Sequence, residues 1–457
     1  MRGAAGIRAG ILSLLALAGA CAAALPDDAA VRALLAERIA QKRGVGFAVV
    51  LLDAKGTRIV TAGAARDGGP PVAADTEFEI GSITKTFTAL LLADAIARGE
   101  AHADDPVARL LPAAASGLAR DGKSVTLAQL ASHTSGLPPL PTNWNPANRA
   151  DPYADYDAAH LLAFLASPVL GRAPPAEYQY SNLGVGTLGY ALTYQSGGYG
   201  SVLRERILAP LRMDDTTLDL SPTQEQRLAA GHDPDLKPAA SWHLNALAGA
   251  GGLRSTALDM AKYLAAAADP ATSPLAADFR LAQTPIAEGP TPALRIGLAW
   301  HLTQRGATTH IWHNGRTGGY ASMIALDPAT HEGVVVLSNA SISVDDLALH
   351  LLDATNPLAP PPKQHTVARV DPAVFDRIAG RYELAPNFVL AVRREGDRLF
   401  AQATGQGIAE VFPEGEYEYF YTIVDAQLSF RHDGAGNVTG VVLHQGGRDV
   451  DGRKLGQ

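Results

Sequence analysis

The segment GSITKTFTALLLADAIARG, residues 81–99, places a serine and a lysine three positions apart at the start of a long apolar run. Apolar residues dominate through Ile96 and a glycine follows at Gly99, so the run predicts a buried helix that ends there. Side chains three positions apart lie on one face of a helix, with Cβ atoms about 5–6 Å apart. Ser82 and Lys85 are therefore expected to be neighbours.

This serine and lysine have the chemistry of a nucleophile and its base. The first turn of a helix carries unpaired N–H groups and the positive end of the helix dipole, which favour a developing oxyanion. Lys85 can accept the hydroxyl proton of Ser82 if burial lowers the pKa of its amine. Taken alone, the pair has an equally simple structural explanation, a helix-capping serine followed by a solvated lysine.

Two later segments decide between these interpretations: YSN at 180–182 and HNG at 313–315. In this order, Ser-x-x-Lys, Tyr-x-Asn and a Lys-Thr-Gly-like triplet are the signature of penicillin-binding proteins and serine β-lactamases. The sequence resembles the class C β-lactamase group, with its peptidase, D-aminopeptidase and esterase relatives. The resemblance runs from about Leu34 to Leu352 and includes three further segments: 130–138 (LASHTSGLP), 251–256 (GGLRST) and 334–339 (VVVLSN).

The resemblance implies catalytic roles for three residues. Ser82 would be the nucleophile and Lys85 its proton acceptor. Tyr180 is expected to assist as a general base and then to protonate the leaving group. A phenol has an ordinary pKa of about 10, and a neighbouring lysine ammonium would favour the phenolate.

The same resemblance places further groups around the substrate. Asn182 is expected to hydrogen-bond the substrate's amide side chain and also to cap the helix that follows it. The backbone N–H groups of Ser82 and Arg316 would form the oxyanion hole, since Arg316 follows Gly315 on an expected edge strand. Relatives usually carry lysine at the position of His313, where its charge helps to seat a substrate carboxylate. A neutral imidazole there is expected to donate a hydrogen bond but to attract a carboxylate weakly.

The distribution of strand-like and helix-like segments predicts an α/β fold. A helix is expected from Asp27-Asp28 to about Lys42. Strand patterns then occur at 45–50, 57–61, 296–303, 308–312, 321–326 and 333–337, and the chain between them is mostly helical. The simplest fold is one antiparallel sheet flanked by helices with an inserted helical region, which is the β-lactamase/penicillin-binding fold that the resemblance implies.

The chain is expected to contain four parts: a signal peptide (1–24), a serine hydrolase domain (25–355), a Pro-rich linker (356–368) and a β-rich domain (369–457). The linker carries the stiff sequence NPLAPPPK. After it, short alternating strands recur at regular spacing, with predicted strands at 388–393, 398–403, 417–423, 427–432 and 438–444. This spacing predicts a small β-barrel or sandwich, which resembles a lipocalin-like domain.

The first 24 residues have the pattern of an export signal. Arg2 and Arg8 are followed by an apolar stretch from Ala9 to Ala20, which is too short to span a bilayer. Small residues before Leu25 suit cleavage, so we expect a periplasmic or secreted enzyme. The alternative is a lipid anchor on Cys21, the one cysteine of the sequence.

Composition excludes several function classes. A formal net charge of −8 disfavours a nucleic-acid partner. The 13 histidines show no H-E-x-x-H spacing, and there is no G-x-S-x-G motif, so neither a metal nor an α/β-hydrolase mechanism is supported. No later stretch is long and apolar enough to span a membrane. We expect no metal and no organic cofactor.

The resemblance implies the hydrolysis of an amide in a small molecule or peptide, either a β-lactam or a peptide bearing a D-residue. A carboxylesterase using the same site is the alternative within the enzymes. A penicillin sensor, which is acylated without turnover, is the alternative among binding proteins. The sequence leaves the oligomeric state open.

Overall fold

The computed structural model describes residues 25–112, 117–167, 169–306, 308–361, 365–385, 388–404, 408–421, 426–445 and 448–456. The predicted signal segment 1–24, with Cys21, lies outside these ranges, as does part of the predicted linker. A signal peptide and lipidation of Cys21 therefore stay predictions. Within the described ranges, no helix is both long and apolar enough to cross a bilayer.

Helices cover the larger sheet and make up much of the middle of the chain. They are α1 (Asp28–Ala40), α2 (Thr84–Ala97), α3 (Leu127–Ala131), α4 (Ala158–Leu165), α5 (Asn182–Thr193), α6 (Tyr199–Leu203), α7 (Pro222–Arg227), α8 (Ala257–Ala268), α9 (Ala276–Ala282), α10 (Asp345–Leu352) and α11 (Ala373–Ile378). As predicted, Asp27 caps the first helix, because its carboxylate accepts the N–H of Ala30 at 2.8 Å.

The strands fall into a large sheet, a barrel and three small pairs. They are β1 (Gly46–Asp53), β2 (Gly56–Gly63), β3 (Glu77–Glu79), β4 (Ala119–Arg120), β5 (Lys123–Ser124), β6 (Gly231–His232), β7 (Pro238–Ala239), β8 (Arg254–Thr256), β9 (Ala287–Glu288), β10 (Leu294–Ile296), β11 (His301–Arg305), β12 (Thr308–Arg316), β13 (Ala321–Asp327), β14 (Glu332–Ser338), β15 (Gly380–Ala385), β16 (Phe388–Glu395), β17 (Arg398–Ala403), β18 (Ala409–Pro413), β19 (Glu418–Tyr421), β20 (Ala426–His432), β21 (Val438–Gln445) and β22 (Arg448–Lys454).

The large sheet joins the two ends of the first domain. Its order is β2-β1-β14-β13-β12-β11-β10-β9, and β1 pairs antiparallel with β14. Successive residues of β1 point to opposite faces, so Phe47 and Val49 pack with α1 and α10, whereas Ala48 and Val50 pack with α2 and α8. Both faces are covered by helices. The predicted fold class is confirmed.

One predicted strand was wrong. The sequence predicted a single strand over 296–303, but β10 ends at Ile296 and β11 begins at His301, with a tight turn between them. Ala299 has a φ of +60° in this turn. The N–H groups of Leu298 and Ala299 donate to carbonyls of the helical region, at Ala282 and Ala131. These distant acceptors stabilise the turn, and no local sequence pattern indicates them.

The C-terminal region is a closed eight-stranded barrel, β15 to β22 in order. The predicted β-barrel is confirmed, and its interior is filled by side chains such as Tyr382, Tyr419 and Phe430. The sequence missed β15, β18 and β22. The last of these, RDVDGRK, is too polar for its sequence alone to predict a strand. It forms because β15 and β21 each pair with it along one side.

The chain after the first domain stays attached to it for a few residues. Leu358 packs against the core formed with α1 and α10. The carbonyl of Ala359 accepts from the Arg43 guanidinium at 2.7 Å. The backbone N–H of Ala359 donates to the Asp346 carboxylate at 2.9 Å. The barrel has a separate core, so we propose that the two domains fold independently.

A chain that ends after Pro361 is therefore expected to fold cooperatively without the barrel. A chain that ends at Asn356 loses both Ala359 bonds and should be less stable by about 2 kcal/mol or more, since each bond involves a charged group. Urea unfolding of the two truncated proteins checks this difference. An insoluble product from the longer one would contradict independent folding.

Candidate active site

Ser82 lies in a short 3₁₀ turn, Gly81–Ile83, that runs directly into α2. The sequence placed Ser82 within the α-helix itself, whereas the regular helix begins at Thr84. Gly81 has a φ of +49°, and a β-carbon there would lie 2.7 Å from the backbone nitrogen of Arg316. Glycine at this position therefore lets the serine turn approach the end of β12 closely.

Lys85 is fully buried beside Ser82. Its amine lies 2.8 Å from the Ser82 hydroxyl, 2.8 Å from Oδ1 of Asn182 and 2.5 Å from the carbonyl of Ala250. Ala250 was not among the predicted site residues, although it directly precedes the 251–256 segment noted in the sequence. The expected contact between Ser82 and Lys85 is thus present in the structure.

Burial lowers the pKa of Lys85 well below its ordinary value, which favours the neutral amine. A neutral amine has two N–H donors and one lone pair. Ala250 and Asn182 offer only acceptors, so they take the two hydrogens. The lone pair is then directed at the Ser82 hydroxyl, which is the arrangement that a proton acceptor needs.

Tyr180 completes a triangle with this pair. The Lys85 amine lies 4.9 Å from the centre of the Tyr180 ring. Burial raises the pKa of the Tyr180 phenol, and a hydrogen bond with Ser82 only partly offsets this rise. From the sequence, a lysine ammonium was expected to favour the phenolate. With a neutral lysine the phenol keeps its proton, so this arrangement suits Tyr180 as a proton donor better than as a base.

Ser181, rather than Asn182, caps α5. The Ser181 hydroxyl accepts the N–H of Gly184 at 2.8 Å, so the capping role expected for Asn182 was wrong. The Asn182 side chain instead faces Lys85. His133 also supports this segment, because its Nδ1 accepts the N–H of Ser181 at 3.1 Å.

The end of β12 lies against the serine turn. A β-carbon on Gly315 would lie 2.1 Å from the carbonyl oxygen of Ile80, so only glycine allows this approach. The expected edge strand was wrong, since β12 has neighbours on both sides. However, its pairing with β11 stops at Trp312, so His313 to Arg316 are paired only with β13. The Arg316 side chain is exposed.

His313 is fully buried at the start of this segment. Its Nδ1 lies 2.6 Å from the carbonyl oxygen of Asn314, and a carbonyl only accepts, so Nδ1 carries the hydrogen. Burial and the nearby His301 and Lys85 lower the pKa of His313, so the ring is neutral. The remaining Nε2 is then an acceptor, not the donor that the sequence analysis expected.

Aromatic residues that the sequence analysis missed border the site. Tyr153 hydrogen-bonds Asn182 through its side chain, and the Trp242 ring lies 5.5 Å from the Tyr153 ring. Trp242 also packs on Gly318, where a β-carbon would lie 2.7 Å from the indole nitrogen. Both aromatic residues come from irregular segments without a motif. Among the described residues, no group of three or more His, Cys, Asp or Glu is arranged to hold a metal ion.

Comparison with known proteins defines the family. A family model described as Beta-lactamase matches residues 31–355, which is most of the chain. The chain belongs to the beta-lactamase family. A second model, described as a domain of unknown function (DUF3471), matches residues 364–454, the region of the barrel.

Curated relatives of this beta-lactamase-family chain are similar at modest identity. A beta-lactamase of Escherichia coli is 27% identical over 59% of this chain and 77% of the relative. The D-alanyl-D-alanine-carboxypeptidase/endopeptidase AmpH of the same organism is 28% identical over 67% and 84%. Penicillin-binding protein 4* of Bacillus subtilis is 25% identical over 79% and 84%. The resemblance inferred from the motifs is confirmed, and the chain is a hydrolase of this superfamily.

A buried carboxyl lies on β3, the strand that leads to the serine turn. Burial, with the added charge of Asp215, raises the pKa of Glu77 from 4.5 to about 8, although Arg227 opposes this rise. Because the folded-state pKa is the higher one, Glu77 stabilises the fold only while it is protonated. That contribution is complete below about pH 4.5 and is lost as the pH rises toward 8.

Glu77→Gln is therefore expected to be more stable than the parent above pH 8, with the advantage disappearing near pH 4.5. Between these limits the parent should lose up to about 1.4 kcal/mol per pH unit relative to the variant. Urea unfolding at several pH values measures this difference, with the exposed Glu205→Gln as the control. Parallel curves for Glu77→Gln and the parent would contradict the assignment.

Proposed function

We propose that the protein hydrolyses amides through an acyl-enzyme on Ser82, with a β-lactam or a peptide bearing a D-residue as substrate. The observation that carries this proposal is the 2.8 Å contact between the Ser82 hydroxyl and a fully buried lysine amine. Relatives named as a beta-lactamase and as a D-alanyl-D-alanine-carboxypeptidase/endopeptidase support the two substrate classes.

In the acylation step, the lone pair of Lys85 takes the Ser82 proton while Oγ attacks the substrate carbonyl carbon. The oxyanion is stabilised by the backbone N–H groups of Ser82 and Arg316. Tyr180 then donates its proton to the leaving nitrogen and regains one from the Lys85 ammonium. The C–N bond breaks, and the acyl group remains on Ser82 as an ester.

Deacylation uses the same groups with water as the nucleophile. Lys85 accepts one water proton as the hydroxide oxygen attacks the acyl carbon, and Ser82 leaves with a proton returned through Tyr180. The product is a carboxylic acid. Neither step requires a metal or an organic cofactor.

Intact-protein mass spectrometry after exposure to penicillin tests this proposal, together with a rate panel of β-lactam, D-peptide and ester substrates. A hydrolase gives a mass shift of one acyl group that decays as product accumulates. A sensor gives the same shift without decay. A protein that shows neither labelling nor turnover with any substrate would overturn the proposal.

We propose a periplasmic or secreted location, supported by the export pattern of residues 1–24. The mature chain is then expected to begin at or near Leu25 and to contain no cysteine. The intact mass of the exported protein measures this. A lipid adduct on Cys21 would show that the segment is an anchor instead.

A carboxylesterase is the second candidate. The observation that favours it is His313, which stands at the position of a carboxylate-binding lysine in relatives but is neutral and presents an acceptor. If the substrate carries a carboxylate, the exposed guanidinium of Arg316 is the group that we propose to bind it.

Arg316→Ala is expected to lower kcat/KM for carboxylate-bearing penicillins by about tenfold, because a charged hydrogen bond contributes about 1.5–3 kcal/mol. Neutral esters should change by less than about twofold, since alanine keeps the backbone N–H of the oxyanion hole. The ratio of the two rates is the measurement, and Arg295→Ala, an exposed arginine on β10, is the control. Equal losses on both substrates would show that Arg316 does not select the carboxylate.

A further inference from the structure

Three buried histidines from different elements meet beside Tyr180. His133 follows α3, His301 begins β11 and His313 lies on β12, and each is at most 5% exposed. The ring centres are 4.5 Å apart for His133 and Tyr180, 6.3 Å for Tyr180 and His313, and 5.0 Å for His313 and His301. The half-buried Tyr178 continues this set, with its hydroxyl 3.2 Å from Nε2 of His301.

The hydrogen bonds of two histidines define their tautomers. His133 accepts the N–H of Ser181 at Nδ1, so its hydrogen is on Nε2. The hydrogen of His313 is on Nδ1, because the Asn314 carbonyl accepts it there, so Nε2 holds a lone pair. Within this cluster, three ring nitrogens have no hydrogen-bond partner among the described residues: Nε2 of His133, Nδ1 of His301 and Nε2 of His313.

The rings that carry these nitrogens are neighbours, and buried polar atoms without a partner are uncommon in a protein interior. Each buried nitrogen left without a partner costs about 1–3 kcal/mol, and native folds rarely keep several together without a function. The group contains one donor, one acceptor and the His301 nitrogen, which takes either role. These are the two to four polar partners that an internal water molecule requires.

The imidazoles of this cluster are neutral before the reaction, so they are available for proton transfer. Burial lowers the pKa of all three imidazoles, that of His301 to about 4, and Lys85 adds to the effect when it is protonated. Each ring is therefore neutral. The unpartnered nitrogens of His301 and His313 can accept a proton and return it, whereas His133 can only donate through Nε2. The titratable groups around the cluster are Lys85 from α2, Tyr178 and Tyr180 from the segment before α5, and the other histidines.

The proposed reaction leaves a proton to remove. The carboxylic acid formed by deacylation gives its proton to the nearest strong base, Lys85, which produces a carboxylate and a lysine ammonium. Lys85 is fully buried and bonded on all three sides, and the product covers Ser82 until it leaves. The ammonium must lose its proton before it can accept another from Ser82.

We propose that His133, His301 and His313 hold water beside Tyr180, and that this water, His313 and His301 carry the proton from the active site to the surface at Tyr178. The proposal rests on the proposed function. Tyr180 takes the proton from the lysine ammonium as it passes its own to Nε2 of His313 through the shared water. His313 then returns that proton through the water to Nδ1 of His301. The hydrogen on Nε2 of His301 passes to the Tyr178 hydroxyl as Tyr178 releases its own proton to solvent, so no net charge remains. In this proposal the three histidines act on the proton and not on the substrate.

His301→Gln tests the relay. Glutamine can still hydrogen-bond Tyr178 but does not take up protons, whereas His301→Phe keeps the ring packing without any nitrogen. In quench-flow with a chromogenic substrate, the first turnover should stay within about twofold of the parent in both variants. Later turnovers should slow by about tenfold, less than the 10²–10⁴-fold effect of a group that acts directly. Added imidazole should restore them in a saturable manner, because it replaces the missing proton carrier.

His310→Gln is the matched control, since His310 is a buried histidine of β12 outside the cluster. The relay is overturned if later turnovers of both His301 variants match the parent, or if they slow without rescue by imidazole. A structural role would slow the first turnover as well. Failure of the proposed function looks different, because the parent itself would then show no acyl-enzyme and no turnover.

Discussion

Ser82→Ala is expected to lower kcat by about 10⁶-fold and to abolish labelling by penicillin, because the hydroxyl is the only nucleophile in the proposed reaction. The substitution leaves a methyl group in place of the side chain whose hydroxyl lies 2.8 Å from the Lys85 amine. No other hydroxyl is expected to form the ester. The measurements are the intact mass after penicillin exposure and the rate with the best substrate of the panel.

The exposed Ser201→Ala on α6 is the matched control and should behave as the parent in both measurements. The Ser82 variant should also keep the thermal stability of the parent, since the side chain is only partly buried. Turnover near the parent rate in Ser82→Ala would remove the basis of the proposed function.

Lys85→Met is expected to lower kcat/KM by about 10³-fold, the loss typical of a general base. Methionine keeps the apolar stem but has no lone pair on nitrogen, so the Ser82 proton has no acceptor. The parent rate should also fall as the pH drops through the lowered pKa of Lys85, because only the neutral amine accepts the proton. The variant should lose this acid limb, while the exposed Lys237→Met should retain it.

Tyr180→Phe tests whether Tyr180 and Lys85 act on the same proton path. It removes the proton donor to the leaving group, and its effect should not add to that of Lys85→Met, since both act on one proton path. Thermal unfolding of each variant tests whether the acceptors Asn182 and Ala250, left without the lysine, destabilise the fold. Fully additive losses in kcat/KM would contradict a shared path.

Much of the fold could be predicted from the sequence because it follows local periodicity. The helix expected from Asp27-Asp28 to about Lys42 is observed at Asp28–Ala40, and the first hairpin and the strands of the barrel's middle lie where alternation placed them. The errors come from long-range partners. The turn after Ile296 depends on carbonyls of two helices, and β22 depends on the closure of the barrel.

The candidate site divides in the same way. Motif order brought Ser82, Lys85, Tyr180 and Asn182 to attention, and the structure places them together. No motif marked Tyr153, Trp242 or His301, because contacts with residues distant in the sequence bring them to the site. The tertiary structure also decided which residue caps α5 and which part of β12 has a neighbouring strand on one side only.

The sequence by itself determined that Ser82 and Lys85 are neighbours, because their spacing is one turn of a helix and requires nothing from the rest of the chain. Only the tertiary structure decided what that pair can do. Burial lowers the pKa of the Lys85 amine and so favours its neutral form, whose two hydrogens are bound by Asn182 and Ala250, 97 and 165 residues away in the chain. The direction of the remaining lone pair is therefore a property of the assembled fold.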